Sequence, residues 1–261
     1  MLRLGQRESN MSLERVCCSS MPASGERRRL IRSLLALAAS GAAASLVPGA
    51  LQVAQAAALT REQRDKLTPE QVLEMLRRGN KRFRAGKMQP HDYLAQKRAT
   101  TSGQYPAAAI LGCIDSRAPA EIILDTAIGD TFNARVAGNV AEDDMLGSLE
   151  FACAAAGAKL ILVMGHTACG AVKGAIDGAE LGHLTALLNN IKPAVAATSY
   201  NGERSSKNPD FVDAVAASNV RLTVDAIRKR SSVLAGLEKD GKIGIVGSMY
   251  HLVGGRLEIL T

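Results

Sequence analysis

Two short clusters in the chain combine residue types that bind metal and move protons. One is Cys113-Ile114-Asp115-Ser116-Arg117, and the other is His166-Thr167-Ala168-Cys169-Gly170. Two thiolates and an imidazole form a soft-to-borderline donor set suited to zinc. A tetrahedral site on Cys113, His166 and Cys169 leaves one position, which falls to water or to Asp115. Three protein ligands and an open position are the arrangement of catalytic rather than structural zinc. Zinc lowers the pKa of a water in such a position to about 7. Asp115 and Arg117 are two apart on an extended segment, so their side chains can share one side. A guanidinium fork would hold the carboxylate ionised and oriented beside that water, as the acceptor of its proton. Released from Arg117, the same carboxylate would reach the metal and close the open position, which makes the pair both a working part and an off switch. Taken singly, each cluster is a common match. Cys113 then reads as a small core residue, His166 as a satisfied cap and Asp115–Arg117 as a plain salt bridge. Their combination, each at the end of an expected strand, favours a metal site.

The elements that must position these clusters follow from apolar patterning. Short, nearly continuous apolar runs at 107–112, 131–136, 159–165 and 242–249 read as buried strands, and 257–260 as a fifth strand on the edge. Helical stretches are expected at 119–124, 143–156, 181–197 and 210–237. Thr68-Pro69-Glu70 opens a further helix: an N-cap hydroxyl, Pro at the first helical position and an acid in the first turn. Val72, Leu73, Leu76 and Phe83 give that helix one apolar face. Basic, polar residues 84–104 read as a connecting arm, and 198–209 as a surface loop. Strands alternating with helices predict an α/β fold: a mostly parallel central sheet of four to five strands, flanked by helices, with an N-terminal helical arm. Ligands bind such sheets beyond the carboxyl ends of the strands, where both clusters fall.

The first 56 residues read as a targeting segment rather than as part of this fold. They hold seven of the 32 basic residues and three of the 25 acidic ones, so more than half of the net charge of +7 sits there. Arg27-Arg28 begins a paired-arginine motif, an Ala-rich apolar run spans 33–47, and Ala54-Gln55-Ala56 is a small-x-small cleavage site. This order is that of a bacterial secretory signal of the twin-arginine type. Cleavage near Ala56 would leave a single catalytic domain, 57–261, exported to the periplasm or cell envelope without a stable membrane anchor. The alternative is an uncleaved anchor, for which an apolar run of about 15 residues is short. Met11 and Met21 are alternative starts. The balance in 57–261 leaves no basic stripe, and aromatic residues make up only 3% of the chain with no Trp. Nucleic-acid binding, which needs basic surface and stacking platforms, is therefore not expected. Cys113, Cys153 and Cys169 remain in the mature part; an odd count argues against a purely disulfide role, and Cys153 reads as core.

In combination these motifs resemble the β-class carbonic anhydrases. The shared text is C-x-D-S-R at 113–117, Ala118-Pro119-Ala120-Glu121 after it, R-V-A-G-N at 135–139, G-H-x-x-C-G at 165–170, and Gly103-Gln104-x-Pro106 before the first strand. The resemblance covers about 68–261. It implies a zinc enzyme that interconverts carbon dioxide and bicarbonate, with one Zn2+ per chain on Cys113, His166 and Cys169. Asp115 and Arg117 would be the catalytic dyad, with Asp115 also able to close onto the metal. Gln104 matches a glutamine that orients bicarbonate or hydroxide, and Gly170 a glycine whose backbone N–H faces the site. Phe132, Ala137 and Phe151 match pocket positions that are usually Phe, Val and Tyr; Ala137 would widen the pocket and Phe151 remove a hydroxyl. Family members form dimers and higher homo-oligomers in which N-terminal helices embrace the partner and the site lies near the interface. The 69–84 helix suits that role, or packs on its own sheet. Some members carry an inhibitory bicarbonate site built from Trp, Arg and Tyr. Arg135 and Tyr250 match two of these, while Ile110 stands at the Trp position, which argues against that site here. His183, His251 and Tyr250 are candidate proton shuttles.

Two other functions use the same residues. A relative on this scaffold could hydrolyse another small heterocumulene, carbonyl sulfide or carbon disulfide, by the same attack. A zinc-binding exported protein without activity would need the thiolates but not an Asp–Arg pair beside an open position.

Overall fold

The computed structural model describes residues 58–260. The targeting segment expected at 1–56 lies outside these residues. Along the described chain run α1 (Arg61–Asp65), α2 (Pro69–Arg84), α3 (Tyr93–Ala99), β1 (Ala108–Gly112), α4 (Ala120–Ile123), β2 (Thr131–Arg135), α5 (Asp143–Glu150), β3 (Leu160–His166), α6 (Gly170–Ile176), α7 (Gly182–Asn189), α8 (Lys192–Ala197), α9 (Pro209–Arg230), α10 (Ser232–Lys239), β4 (Gly244–Tyr250) and β5 (Leu257–Leu260). The strands form one sheet in the order β2-β1-β3-β4-β5. Its first four strands are parallel, and β5 pairs antiparallel with β4. No helix among the described residues is long and apolar enough to cross a membrane.

The apolar runs became strands because both faces of the sheet are covered. Along β1, Ala109 and Leu111 join one core layer while Ala108 and Ile110 join the other. Along β3, Ile161 and Val163 face the first layer, and Leu160, Leu162 and Met164 the second. This period of two with apolar residues on both sides is the pattern of an interior parallel strand. On one face lies α9, whose Phe211, Val212, Val215, Val220 and Ile227 are buried. On the other lies α2, which sets Val72 and Leu76 against Ala108, Ile110 and Leu162. The N-terminal helix therefore packs on its own sheet. Thr68 caps it with a reciprocal bond pair to Gln71, and Pro69 occupies its first turn, as the sequence dictates.

Several helices depart from their expected limits. The stretch 210–237 is two helices, because Ser231 leaves helical geometry and its hydroxyl both accepts from Leu234 N–H and donates to Glu150. The stretch 181–197 also divides, with Pro193, which has no N–H to donate, at the start of the second piece. The stretch 143–156 runs on from α5 as a π-helical turn over Phe151–Ala155. The arm at 84–104 is not plain coil: α3 forms there, capped by Asp92, which accepts from Ala95 N–H. A short helix, α6, follows the second cluster and was not expected.

Candidate metal centre

β1 and β3 are hydrogen-bonded neighbours, and each ends at one of the clusters. Cys113 directly follows β1, His166 is the last residue of β3, and Cys169 is the N-cap of α6. Their ligand atoms all lie within 4.8 Å of one another, and all three residues are buried. The two Sγ atoms are 4.0 Å apart. His166 Nδ1–H donates to its neighbour's carbonyl, Thr167 O, at 2.9 Å. That bond fixes the tautomer and leaves a lone pair on Nε2. Nε2 is buried and has no hydrogen-bond partner. A buried acceptor left bare costs roughly 1–3 kcal/mol, so its survival beside two thiols fits a cation. Two sulfurs and one imidazole nitrogen converging on one point are a zinc donor set, and Cys113, His166 and Cys169 fit Zn2+.

Electrostatics agree. The Cys169 thiol beside it holds Cys113 down at about 4. Cys169 is correspondingly pushed up by Cys113 and by burial. A cation held between them would favour the thiolate form of both. Cys153, by contrast, lies apart from the trio, and burial pushes its thiol up to about 12.

Asp115 stands outside the trio, and the structure shows it held back from the metal position. Its Oδ1 accepts from Arg117 N–H at 2.9 Å and Nε–H at 3.0 Å, and its Oδ2 from Arg117 Nη2–H at 2.8 Å. Oδ2 lies 3.8 Å from His166 Nε2. The Arg117 guanidinium holds the Asp115 carboxyl well below the usual carboxylate range. Arg135 braces the same segment by donating to Cys113 O at 2.9 Å and to Asp115 O at 2.5 Å. That use commits its guanidinium to backbone, and Ile110 is buried in the sheet. The arrangement is unlike an anion site built with Trp.

The remaining expected residues divide. Ala137 opens a short 3-10 turn, Ala137–Asn139, in which Gly138 at φ +70° donates its N–H to Cys113 Sγ at 3.4 Å. Gly170 begins α6, and a Cβ added there would meet nothing within 4 Å, so the space before it is open. Phe132 and Phe151 meet edge-on at 6.0 Å in a separate groove of about 760 Å³ along β2 and α5, where Phe151 is 58% exposed. Gln104 lines another hollow with Thr100, Ile128 and Gly129. It precedes β1, at the opposite end of the strand from Cys113. Within one chain, then, the structure brings together the trio, Asp115, Arg117 and Ala137, and does not bring Gln104, Phe132 or Phe151 to them. His251 is engaged by Glu258 and Arg256, and His183 lies on α7. Sequence reasoning did not single out Gly138, Asp213 or Asn219, which hold the backbone of the site. Only the glycine in R-V-A-G-N carried a signal, since a left-handed residue there needs no Cβ.

Residues 108–257 match the sequence pattern of the carbonic anhydrase family. The chain is 35% identical over 193 residues to a carbonic anhydrase of Mycolicibacterium smegmatis, an alignment covering 73% of this chain and 93% of that protein. It is 36% identical over 190 residues to carbonic anhydrase 2 of Mycobacterium tuberculosis, covering 72% and 91%. Among solved structures it resembles a β-carbonic anhydrase of Aspergillus fumigatus, with TM-score 0.55 and 28% identity, covering 62% of this chain and 79% of that one. A β-carbonic anhydrase of Sordaria macrospora, described as tetrameric, gives TM-score 0.54 and 25% identity, covering 61% and 82%. The trio, the restrained aspartate, the sheet order and these similarities agree: the chain belongs to the carbonic anhydrase family, β class.

Proposed function

We infer that this chain converts carbon dioxide and water reversibly into bicarbonate and a proton, with Zn2+ on Cys113, His166 and Cys169. The observation that carries the reading is the bare, buried Nε2 of His166, converging with two thiols beside a carboxylate that a guanidinium keeps ionised. Bound there, zinc supplies Lewis acidity that brings the acidity of water close to neutrality. The protein supplies the rest. Asp115, ionised, can only accept at Oδ2, so it selects a species that offers a proton: water in one direction, the bicarbonate hydroxyl in the other. Arg117 stops that carboxylate from turning towards the trio. Arg135 and the Gly138 N–H hold Cys113 and Asp115 in register.

Stopped-flow carbon dioxide hydration on residues 57–261, with zinc measured on the same sample, tests the reading. One zinc per chain and fast hydration near pH 8 are expected. One zinc with no hydration at any pH would overturn it, and carbonyl sulfide and carbon disulfide would then be compared on that preparation. Ala137, where family pockets usually carry Val, is the residue that favours the wider substrate.

The chain acts as a homo-oligomer in this reading. A tetrameric relative supports it, as does the position of Gln104, Phe132 and Phe151. These residues can contact substrate only if a second copy brings them to the trio. Sedimentation of the mature chain checks this, and a monomer of full activity would refute it. Export by the twin-arginine route rests on Arg27-Arg28 and Ala54-Gln55-Ala56. Replacing both arginines with Lys should strand the protein in the cytoplasm; normal amounts outside would refute the route.

A further inference from the structure

The two clusters sit on different strands and loops, yet both are gripped by one helix, α9. Near its start, Asp213 Oδ1 accepts from Ala168 N–H at 2.8 Å. Ala168 lies between His166 and Cys169 and adopts φ +55°, a left-handed conformation that costs an Ala roughly 1–2 kcal/mol. A turn that carries such a cost persists only where its surroundings hold it. Six residues on, and about 9 Å along the axis, buried Asn219 donates from Nδ2 to Gly138 O at 2.7 Å. The N–H of that same glycine points at Cys113 Sγ. Asp213 therefore secures the turn that bears His166 and Cys169, and Asn219 secures the turn that touches Cys113.

The height of α9 over the sheet is set beside these contacts. Val220, wholly buried, lies against two glycines on neighbouring strands. A Cβ added at Gly165 would fall 2.5 Å from Val220 Cγ2, and one at Gly247 2.8 Å from Val220 Cγ1. Only glycines let the helix come this close, and one of them immediately precedes His166.

We propose that Asp213 and Asn219 are positioning residues for the metal: through α9 they hold both ligand-bearing turns at fixed separation, so that the donors converge before zinc arrives and release it slowly. Neither residue touches the ligands' donor atoms. Each acts through one backbone group, Ala168 N–H or Gly138 O. The proposal rests on the trio being the zinc site, and it adds residues that neither cluster contains.

The test is zinc release from the full mature chain into a chromogenic chelator, with the visible spectrum of the cobalt-substituted protein as a second readout. Asp213 is only half-buried, so Asp213→Ala should fold. Zinc loss should accelerate about 10–100-fold, the usual scale for removing a group that orients a metal-binding segment. The thiolate-to-cobalt and ligand-field bands should broaden or shift. Asp213→Asn keeps an acceptor for Ala168 N–H and should restore slow release. Asn219→Ala should act like Asp213→Ala, and Arg221→Ala, exposed on the same helix, should change neither readout. A parent chain that takes up no zinc would overturn the metal-site reading together with this one. A parent that holds zinc, with an Asp213→Ala variant of equal release rate and unchanged cobalt spectrum, would overturn the positioning role alone.

Discussion

Adding one methyl group at Gly165 tests how the long helix is seated over the metal centre. The new Cβ would lie 2.5 Å from Val220 Cγ2 and 3.0 Å from Met249 Sδ. Carbon contacts settle at about 3.5–4.0 Å, so the methyl and Val220 must part by roughly 1 Å. Met249 can swing its sulfur aside, but Val220 is stiff at χ1 and wholly buried. Overpacking of this kind costs about 1–3 kcal/mol, against which the lower entropy of Ala in the unfolded chain returns ~0.4–1 kcal/mol. Gly165→Ala should therefore destabilise the protein by about 1–2 kcal/mol. Val220→Ala alone removes two buried methyls, for a loss of about 2 kcal/mol. Together the added methyl fills the space that Cγ2 vacates, so the double variant should lose about 1 kcal/mol less than the two single losses combined. The chain has no Trp, so urea unfolding is best followed by far-ultraviolet circular dichroism, at fixed protein and free zinc concentrations. Additivity to within about 0.5 kcal/mol would refute the close seating of α9.

Further outcomes follow from the same geometry. Asp115→Asn should keep its zinc and lose about 100-fold or more in carbon dioxide hydration; retention of full turnover would remove Asp115 from the chemistry. Cys153, pushed up to about 12 by burial, should resist iodoacetamide at pH 8 in the folded protein and react only on unfolding, as read by peptide mass mapping. Asp125, buried at φ +49°, accepts from Arg82 Nε at 2.5 Å, from Gln89 N–H and from His91 Nε2 at 2.9 Å. Asp125→Ala should cost about 3 kcal/mol or more in urea unfolding, and Asp125→Asn less, because Asn tolerates the left-handed backbone. Glu258 is held below its ordinary value of 4.5 by the His251 hydrogen bond and by Arg256. Its folded value is the lower one, so its stabilisation is present above the ordinary value and is lost as pH falls. The stability gap between wild type and Glu258→Gln should thus narrow from pH 7 towards pH 3, and shrink in high salt because the carboxylate is partly exposed; a gap that widened on acidification would contradict the assignment.

The inner strands β1 and β3 were legible because they are buried throughout and read as unbroken apolar runs, and all five strands fell within a residue or two of their observed ends. The helix breaks were not, because long-range groups decide them: Ser231 ends one helix and starts another while bonded to Glu150, 81 residues away. The ligands were legible from donor chemistry and from their position after apolar runs. Their convergence could be inferred from that chemistry, but not the strand order that brings it about, with β1 beside β3 although β2 lies between them in sequence. Gln104 shows the reverse case, a neighbour in sequence that stands far from the trio within one chain. It precedes Cys113 by only nine residues, yet the length of β1 places it at the far end of the sheet. Asp213 and Asn219 left no mark in the sequence, because an acid and an amide on an amphipathic helix read as ordinary water-facing side chains until the contacts of α9 are known.

The placement of the ligands on two strands also bears on the order of events during folding. Cys113 and Cys169 are 56 residues apart, and closing a chain segment of that length costs roughly 3.5 kcal/mol of loop entropy. Of the trio, an unfolded chain brings together locally only His166 and Cys169, a weak chelate that any thiol buffer would contest. The third donor arrives when β1 docks beside β3, a long-range and hence slow event. Tight zinc capture is thus a late reporter of native topology, and a chain stalled before strand docking would remain exchangeable with every competing thiol around it.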